Sequence, residues 1–278
     1  MKRAAVQEQI RVWRLDNLPG LELRSGLAVT APYPRHWHEE YQFCLIQAGG
    51  GELFYRGVHH ETPATSLFIV HPGEVHANQT ETGCSFRSIY VTPQLVSKVF
   101  AGVSRWEQSL PFFPNPMIFD RDIIALYQRV HVSRATALEQ ESALLELLSR
   151  LVTRYAQGKY PPQSAGKEHK AVVKIRDYIF EGHARNISLE ELSQLVNLSA
   201  FHLTRLFAKE IGMPPHAFQT QVRVAKAKEL LMKGMSLSSV AASTGFADQS
   251  HFTRHFKRLM KITPGAYLKT ARTFNTKS

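Results

Sequence analysis

Three histidines in the first part of the chain have types and spacing that can do chemistry. His36 and His38 lie two residues apart in PRHWHEEYQ, so on a β-strand both side chains point to the same face. A third, His76, ends the segment HPGEVH. Three imidazoles can bind Zn²⁺, Fe²⁺ or Mn²⁺, can hydrogen-bond as structural groups in the mouth of a barrel, or can line a small-molecule pocket. The residues alone leave all three roles open.

Further polar side chains of the same half could join these imidazoles. Arginine pairs with carboxylates in a bidentate geometry, which predicts a ligand bearing carboxylate or hydroxyl groups. The residues expected to face the pocket are His36, His38, Tyr55, Arg56, His76 and Arg87. The ligands of a metal, if one binds instead, are His36, His38 and His76. No cofactor is predicted.

The segment QSHFTRHFKR, residues 249–258, suggests recognition of a polyanion. Phe252 and Phe256 are four residues apart, as on the buried face of a helix. The remaining faces carry groups that read base edges, because arginine can bind guanine, glutamine can bind adenine, and an aromatic ring or methyl group can contact thymine. Basic side chains further along such a helix suit phosphates.

This segment has an internal counterpart upstream. The residues TRLF at 204–207 align with TRHF at 253–256, and Pro215 and Phe218 align with Pro264 and Tyr267. Each copy has a short helix, a tight turn and a basic helix, which is the plan of a helix-turn-helix. The predicted base contacts are Phe201, Thr204, Arg205, Gln249, Ser250, His251 and Arg254, and the predicted phosphate contacts are Lys209, Lys257 and Arg258.

The net charge is divided unevenly along the chain. Residues 1–166 carry 16 Lys and Arg against 15 Asp and Glu, a net of +1, whereas residues 167–278 carry 18 against 8, a net of +10. A charge of this size on a short segment favours a polyanionic partner. The basic part has no Trp to anchor it at a membrane surface, so nucleic acid is the favoured partner.

Residues 170–272 resemble the DNA-binding domain of the AraC/XylS family of transcription regulators. The resemblance lies in HLTRLFAKEIGMPP and GFADQSHFTRHFKRLMKITPGAY, with residues 215–234 as the joining helix. It implies two recognition helices that read successive major-groove segments of double-stranded DNA about 34 Å apart. It also implies contact positions for Arg205 and Arg254, transcription activation, and RNA polymerase as a partner.

The histidine segments resemble the two cupin motifs, His-x-His-x3-Glu and Pro-x-Gly-x2-His. Gln42 stands where the motif has its metal-binding glutamate, and Pro72 directly precedes Gly73. AraC-type regulators often carry an N-terminal cupin-like barrel that binds an effector. The resemblance therefore implies a small-molecule effector in this half of the chain.

The positions of Gly and Pro and the spacing of apolar residues predict the architecture. Short apolar runs broken by Gly and Pro between residues 22 and 92 predict strands of a sandwich or barrel. The later pattern is helical, with Ser188, Ser199 and Asp248 as helix caps. We expect a two-domain α+β protein: an effector-binding and dimerisation domain with a cupin-like β-barrel and following helices (residues 1–160), a linker (residues 161–169) and an all-α domain with two helix-turn-helix units (residues 170–278).

Residues 144–155 form an apolar stripe at helical spacing. Leu144, Leu148, Leu151 and Tyr155 recur every three or four residues. Such a stripe can pack on the barrel of its own subunit, or it can form an antiparallel helix pair between two subunits. The second arrangement predicts a homodimer.

Several protein classes are excluded by composition. No run of about 18 apolar residues is present, so no membrane span is expected. The N-terminus lacks the apolar core of a secretory signal, and there are two cysteines, Cys44 and Cys84. These features predict a cytoplasmic protein.

Three functions were weighed against these features. A ligand-responsive transcription regulator, an activator and not an enzyme, accounts for the neutral half and the duplicated basic half together. A metal-dependent cupin enzyme with a basic accessory domain is the alternative, and Gln42 argues against it. A nucleoid-type DNA binder needs neither a pocket domain nor base-reading side chains.

Overall fold

The computed structural model describes residues 8–15, 18–99, 110–131, 137–159 and 167–273. Its contacts divide the chain into two compact units, one formed by Met1–Tyr160 with Lys269–Ser278 and the other by Pro161–Leu268. None of the helices in these ranges is both long and apolar enough to cross a membrane.

The first unit is built on antiparallel strands. They are β1 (Gln9–Arg14), β2 (Leu21–Val29), β3 (Tyr33–His36), β4 (Tyr41–Tyr55), β5 (Val58–Pro63), β6 (Leu67–Val70), β7 (His76–Gln79), β8 (Cys84–Val91), and the short β9 (Pro111–Phe112), β10 (Met117–Ile118) and β11 (Gln157–Lys159). The main sheet runs β1-β2-β8-β4-β6-β10, and β4 also pairs with β5 and β7, while β7 pairs with β3. The strand β4 pairs with β8 and β6 along one part of its length and with β5 and β7 along another. Because β4 joins these two sets of strands, they wrap into the predicted cupin-like barrel.

Glycines allow β4 to bend between its pairing with β8 and β6 and its pairing with β5 and β7. The pairing of β4 with β8 shifts register between Ile46 and Ala48, and Gly49 follows with a φ of 71°. A Cβ at Gly49 would lie 2.2 Å from the carbonyl oxygen of Gly83, so only glycine fits at this close approach. The run AGGG is therefore the bend of the barrel.

The two faces of β4 enter different cores. Phe43 and Leu45 pack in a cluster with Tyr127 and Leu147 of the helices that follow the barrel. Cys44 and Ile46, on the other face, belong to the cluster inside the barrel. This strand is buried on both sides, which explains its almost uninterrupted apolar run.

The helices of the first unit are α1 (Pro93–Val99), α2 (Arg121–Val130) and α3 (Ala137–Tyr155). The stripe on α3 packs within its own subunit, since Leu144, Leu148 and Leu151 are buried in the cluster that also contains the sheet. The predicted helix pair between subunits through this stripe is therefore wrong. Periodicity identifies a buried face and does not say what buries it.

The second unit is all-helical. Its helices are α4 (Lys167–Glu181), α5 (Leu189–Val196), α6 (Ala200–Ile211), α7 (Pro215–Met232), α8 (Leu237–Ser243), α9 (Gln249–Met260) and α10 (Pro264–Thr273), which begins in this unit. Ser188 caps α5 in a capping box with Glu191, while Ser199 and Asp248 cap α6 and α9. These caps stand where the sequence places them, and the predicted α+β fold class is confirmed.

The predicted linker lies largely outside the described residues. Residues 161–166 are not among them, and residues 167–169 form the first turn of α4. The exact limits of the two domains and the linker stay a prediction.

Candidate functional site

Two helix pairs in the second unit share one geometry. Helix α5 is capped at its C-terminus by Asn197, whose φ is 54°, and α6 begins three residues after this cap. Helix α8 is capped at its C-terminus by Thr244, Gly245 follows with a φ of 78°, and α9 begins at Gln249. In both pairs a left-handed residue makes the tight turn between a short first helix and a longer second helix.

The apolar face of each second helix is buried as predicted. In α6, Leu203, Leu206 and Phe207 are buried, and in α9 the same holds for Phe252 and Phe256. Phe207 packs edge-on against Phe218 of α7, and Phe256 packs against Tyr267 of α10. These contacts hold α6 and α9 in place and leave their opposite faces at the surface.

The exposed face of α6 carries an aromatic and basic group. Phe201 is 72% exposed, and the Arg205 guanidinium carbon lies 5.4 Å from its ring centroid. The Thr204 hydroxyl donates to the Ala200 carbonyl oxygen at 2.7 Å, which leaves its methyl group and an oxygen lone pair for other contacts. Lys209 is exposed in the last turn. The four predicted residues of α6 therefore share the open side of the helix.

Five of the six predicted residues of α9 are exposed. They are Gln249, Ser250, Arg254, Lys257 and Arg258. His251 is half-buried, because its ring packs edge-on against Phe246 with centroids 5.5 Å apart. Its backbone N–H donates to Asp248 Oδ1 at 2.7 Å as part of the helix cap.

His255 is a neighbour of this surface that the sequence reading missed. Its Nε2 lies 2.9 Å from Nε2 of His251, one helical turn away, so one imidazole donates to the other. Burial lowers the pKa of His255 to about 4, and the cations Arg258, Arg254 and Arg223 act in the same direction. The spacing of four between two histidines was the signal available in the sequence.

The barrel of the first unit contains a cavity. Its empty space measures about 560 Å³, with open solvent at its mouth included. Apolar side chains from Val29, Ile46, Phe68 and Phe86 line it together with the neutral polar groups of Tyr33, His36, Gln42, Asn78, Gln79 and Tyr90. Glu52, which also lines the cavity, lies 2.5 Å from His59 Nδ1 and 2.9 Å from Gln79 Nε2.

The three histidines that the sequence analysis grouped together lie close to one another. The His36 and His76 rings have centroids 4.1 Å apart, and those of His38 and His76 are 4.9 Å apart. Each Nδ1 lies beside a backbone carbonyl oxygen, at 2.8 Å for His36, 2.7 Å for His38 and 3.2 Å for His76. Carbonyls only accept, so each ring carries a proton on Nδ1.

His76 is the deepest of the three. Its Nε2 is buried with no hydrogen-bond partner among the described residues, and burial holds its pKa well below the ordinary value, with His36 and His38 adding to the shift. His38 Nε2 lies 3.1 Å from Oε1 of Gln42, whose Nε2 donates to Ser88 Oγ at 3.4 Å. Within the described ranges, no group of three or more His, Cys, Asp or Glu is arranged to hold a metal ion.

Tyr55 and Arg56 belong to a different cluster. The amide of Phe113 donates to His71 Nε2 at 2.9 Å, and His71 Nδ1 lies 2.9 Å from both Tyr55 Oη and Arg56 Nη2. Tyr55 Oη donates to Glu74, which Arg56 binds through two nitrogens at 2.9 and 3.2 Å. This network joins the turn after β4 to the segment around β9.

Arg87 does not line the cavity either. It lies on β8, where Phe86 and Tyr90 face the cavity, and an odd residue between them points to the other side of the strand. Of the six predicted pocket residues, the structure brings His36, His38 and His76 together, and His36 lines the cavity itself.

Comparisons with known proteins agree with this arrangement. Residues 18–161 match the family model described as an AraC-like ligand binding domain, and residues 192–270 match a helix-turn-helix domain. The transcriptional regulator YbfI of Bacillus subtilis is 28% identical over 251 residues, which cover 88% of this chain and 90% of YbfI. The transcriptional activator RhaS of Pectobacterium carotovorum is 21% identical over 244 residues, 84% of this chain and 86% of RhaS.

A solved structure shows the same fold across both units. ToxT of Vibrio cholerae, bound to an unsaturated fatty acid, superposes with a TM-score of 0.55 at 14% identity, covering 98% of each chain. The family models together cover most of the sequence, and their limits coincide with the barrel-and-helix unit and the two helix pairs. The chain therefore belongs to the AraC family of transcription regulators, with an N-terminal ligand-binding domain and a C-terminal helix-turn-helix DNA-binding domain.

Proposed function

We propose that the exposed faces of α6 and α9 read DNA sequence in two major-groove segments. The observation that carries this proposal is that both second helices bury one apolar face and present base-reading groups on the other. Phe201 and Thr204 offer contacts to a thymine methyl group, and Arg205 and Arg254 offer bidentate contacts to guanine. Lys209, Lys257 and Arg258 bind phosphates on either side.

Selection from a random duplex library tests this proposal. Full-length protein is expected to enrich one sequence and to bind it at about 150 mM salt at least about a thousandfold more tightly than a scrambled duplex. Equal affinity for both duplexes would contradict sequence-specific reading and would favour a nucleoid-type binder.

The effector is proposed to be a neutral molecule with hydroxyl or amide groups and an apolar face. Arg56 and Arg87 motivated a carboxylate ligand, but Arg56 binds Glu74 and neither residue lines the cavity. The lining contains no Lys or Arg among the described residues, and its carboxylate, Glu52, is paired with His59 and Gln79, while phenols, amides and an imidazole are present. Neutral donors and acceptors in an apolar cavity select uncharged ligands.

Native mass spectrometry of the purified protein, followed by thermal shift with the molecule found, tests this chemistry. A bound neutral molecule is expected to raise the melting temperature by mass action. Substitution of Phe86 by Trp, which narrows the cavity, is expected to remove the shift. A co-purified carboxylate, or a shift unaffected by this substitution, would contradict the assignment.

Three features of the regulator are proposed from its relatives and its composition. RhaS and RhaR are transcriptional activators, which supports activation and contact with RNA polymerase by this chain. The family's function supports a cytoplasmic location and a regulator that catalyses no reaction. A domain limit near residue 160 fits the change from neutral to basic sequence and the end of the barrel-and-helix unit.

The chain is proposed to form a homodimer through the outer face of α3. Leu138 is 72% exposed and Leu145 is 47% exposed, and they lie seven residues apart on this helix. A spacing of seven places both on one face, as in a helix pair. This face lies beside the buried stripe, about 100° around the helix from it.

A further inference from the structure

The loop between α4 and α5 is bound by two side chains of α7. Arg223 Nε donates to the carbonyl oxygen of His183 at 2.7 Å, and its Nη2 donates to that of Arg185 at 3.0 Å. Gln219 Nε2 lies 3.2 Å from the first oxygen and 2.8 Å from the second. Gln219 and Arg223, one turn apart on α7, therefore grip both carbonyls together. We call this arrangement the carbonyl clamp.

The clamped loop is fixed to the first helix-turn-helix. The Arg185 side chain donates to Glu191 at 2.8 Å and its guanidinium carbon lies 4.9 Å from the Tyr178 ring centroid. Glu191 in turn completes the capping box that begins α5. The position of the loop is therefore set by the start of the first motif.

The same loop supports the turn of the second helix-turn-helix. Gly245, in that turn, approaches Ala184 so closely that a Cβ on it would lie 2.0 Å from the Ala184 carbonyl oxygen. Its φ of 78° is a second reason for glycine here. Arg223 also lies under Phe246, with its guanidinium carbon 5.9 Å from the ring centroid, and Phe246 packs on Phe252 of α9.

Each motif has an aromatic core of its own. Phe207 packs on Phe218 in the first motif, and Phe252 packs on Phe256 in the second. Helix α7 spans 18 residues between them, a length of about 27 Å at the usual helical rise. A small rotation at either end of such a helix displaces the far motif relative to the groove it must enter.

We propose that Arg223 is a positioning residue for DNA recognition: together with Gln219, it fixes the orientation of the second helix-turn-helix relative to the first through the loop at residues 183–185. Arg223 does not touch DNA in this role. It sets the separation and angle at which α6 and α9 meet successive major grooves. The part that concerns DNA rests on the proposed reading of two grooves.

A distance measurement without DNA tests the positioning itself. Spin labels are placed on the full chain at Lys209→Cys and Lys257→Cys, two exposed positions on α6 and α9. The background carries Cys84→Ser, Cys44 being buried, and the sample is diluted with unlabelled protein so that only distances within one chain are read. Pulsed dipolar spectroscopy is expected to give one narrow distribution of distances between the two labels when Gln219 and Arg223 are both present.

Arg223→Ala is expected to widen this distribution about twofold, because the loop then no longer fixes both motifs. Arg223→Lys, which keeps the charge without the two-pronged donor, is expected to widen it as well. Lys226→Ala is the matched control on α7, since Lys226 pairs with Glu229 at 3.2 Å, and it is expected to leave the distribution unchanged. An unchanged distribution in folded Arg223→Ala overturns the proposal.

Two further variants keep the test decisive if Arg223→Ala does not fold. Gln219→Ala weakens the clamp and is expected to widen the distribution. Gly245→Ala forces its methyl group against Ala184 and is expected to move the distance. If the distribution is unchanged in both, the proposal is wrong.

DNA binding then separates positioning from simple stabilisation. Duplexes selected with the wild-type protein are compared with duplexes in which one half of the site is scrambled. Arg223→Ala is expected to weaken binding to the full duplex about tenfold and to leave each half-scrambled duplex nearly unaffected, since a fixed orientation gives the second contact its high effective concentration. Failure to select any duplex would refute the proposed DNA reading and leave the distance result standing.

Discussion

Arg254 and Lys257 are two exposed cations on α9 for which we propose different roles. Arg254→Ala is expected to weaken binding to the selected duplex by about 1–3 kcal/mol and to relax preference at one base pair. Lys257→Ala is expected to lower the affinity for all duplexes alike. It is also expected to reduce the slope of log affinity against log salt concentration by about the amount of one phosphate contact. Fluorescence anisotropy over a salt series measures both. Equal, sequence-blind losses from the two changes would show that both residues contact phosphates.

His71 gives a residue-scale prediction for pH. Burial, followed by the nearby Arg56 guanidinium, lowers the pKa of His71 from 6.5 to about 3. Between these values the unfolded chain binds a proton at His71 and the folded chain does not. The free energy of unfolding therefore falls as the pH falls through this window, by at most about 1.4 kcal/mol per pH unit.

The variant His71→Gln isolates this effect, because the other buried histidines are present in both proteins and cancel. Glutamine can still accept from the Phe113 amide, but it does not titrate. The stability advantage of the wild type is expected to shrink between pH 6.5 and pH 4.5 in urea unfolding of the full chain. A constant difference across this range would mean that His71 is not held neutral by the fold.

At single positions, the sequence indicates which face of a strand a side chain occupies, but it does not indicate which side chain it pairs with in the fold. Strand parity predicted a shared face only for His36 and His38, and the later segment added His76; the structure brings the three together although His38 lies beyond the end of β3. The same rule could have removed Arg87, because Phe86 and Tyr90 define the cavity side of β8. Arg56 could not have been excluded in this way, since its φ of 52° in a turn directs it to Glu74, a partner set by tertiary structure.

Helix α3 carries two apolar surfaces with different roles. Leu151 is fully buried in the core between the sheet and helices, whereas Leu145 is 47% exposed on the outer face. Leu151→Ala is expected to destabilise the chain by about 2–5 kcal/mol through the cavity it leaves. Leu145→Ala is expected to change stability by less than about 0.5 kcal/mol under dilute conditions. Urea unfolding of both variants measures the contrast, and equal losses would contradict the assignment of the two faces.

The helix-turn-helix elements were predictable because several local signals agree there. Caps at Ser188, Ser199 and Asp248, a repeated Thr-Arg pair and helical apolar spacing all indicate the same boundaries. The carbonyl clamp was not predictable, since it joins side chains of α7 to backbone oxygens about forty residues earlier in the chain. Every residue has a backbone carbonyl oxygen, so the residue types do not reveal which carbonyls accept these hydrogen bonds.

At the scale of the whole molecule, the prediction concerns the association of two chains through α3. Leu138 and Leu145 leave apolar area on α3 that a second copy can bury. The double variant Leu138→Glu, Leu145→Glu places four carboxylates in a two-chain helix pair, so it is expected to convert a dimer into a monomer without unfolding the chain. Sedimentation velocity of the full chain, with circular dichroism as the folding control, measures this change.

The consequence for DNA binding separates dimerisation from recognition within one chain. A monomeric variant retains both helix-turn-helix motifs, so its affinity for a duplex with one selected site is expected to be unchanged. A duplex carrying two such sites is expected to lose cooperative binding, because the second chain no longer arrives tethered to the first. If the double variant sediments like the wild type, or binds two sites as cooperatively, the outer face of α3 is not the dimer interface.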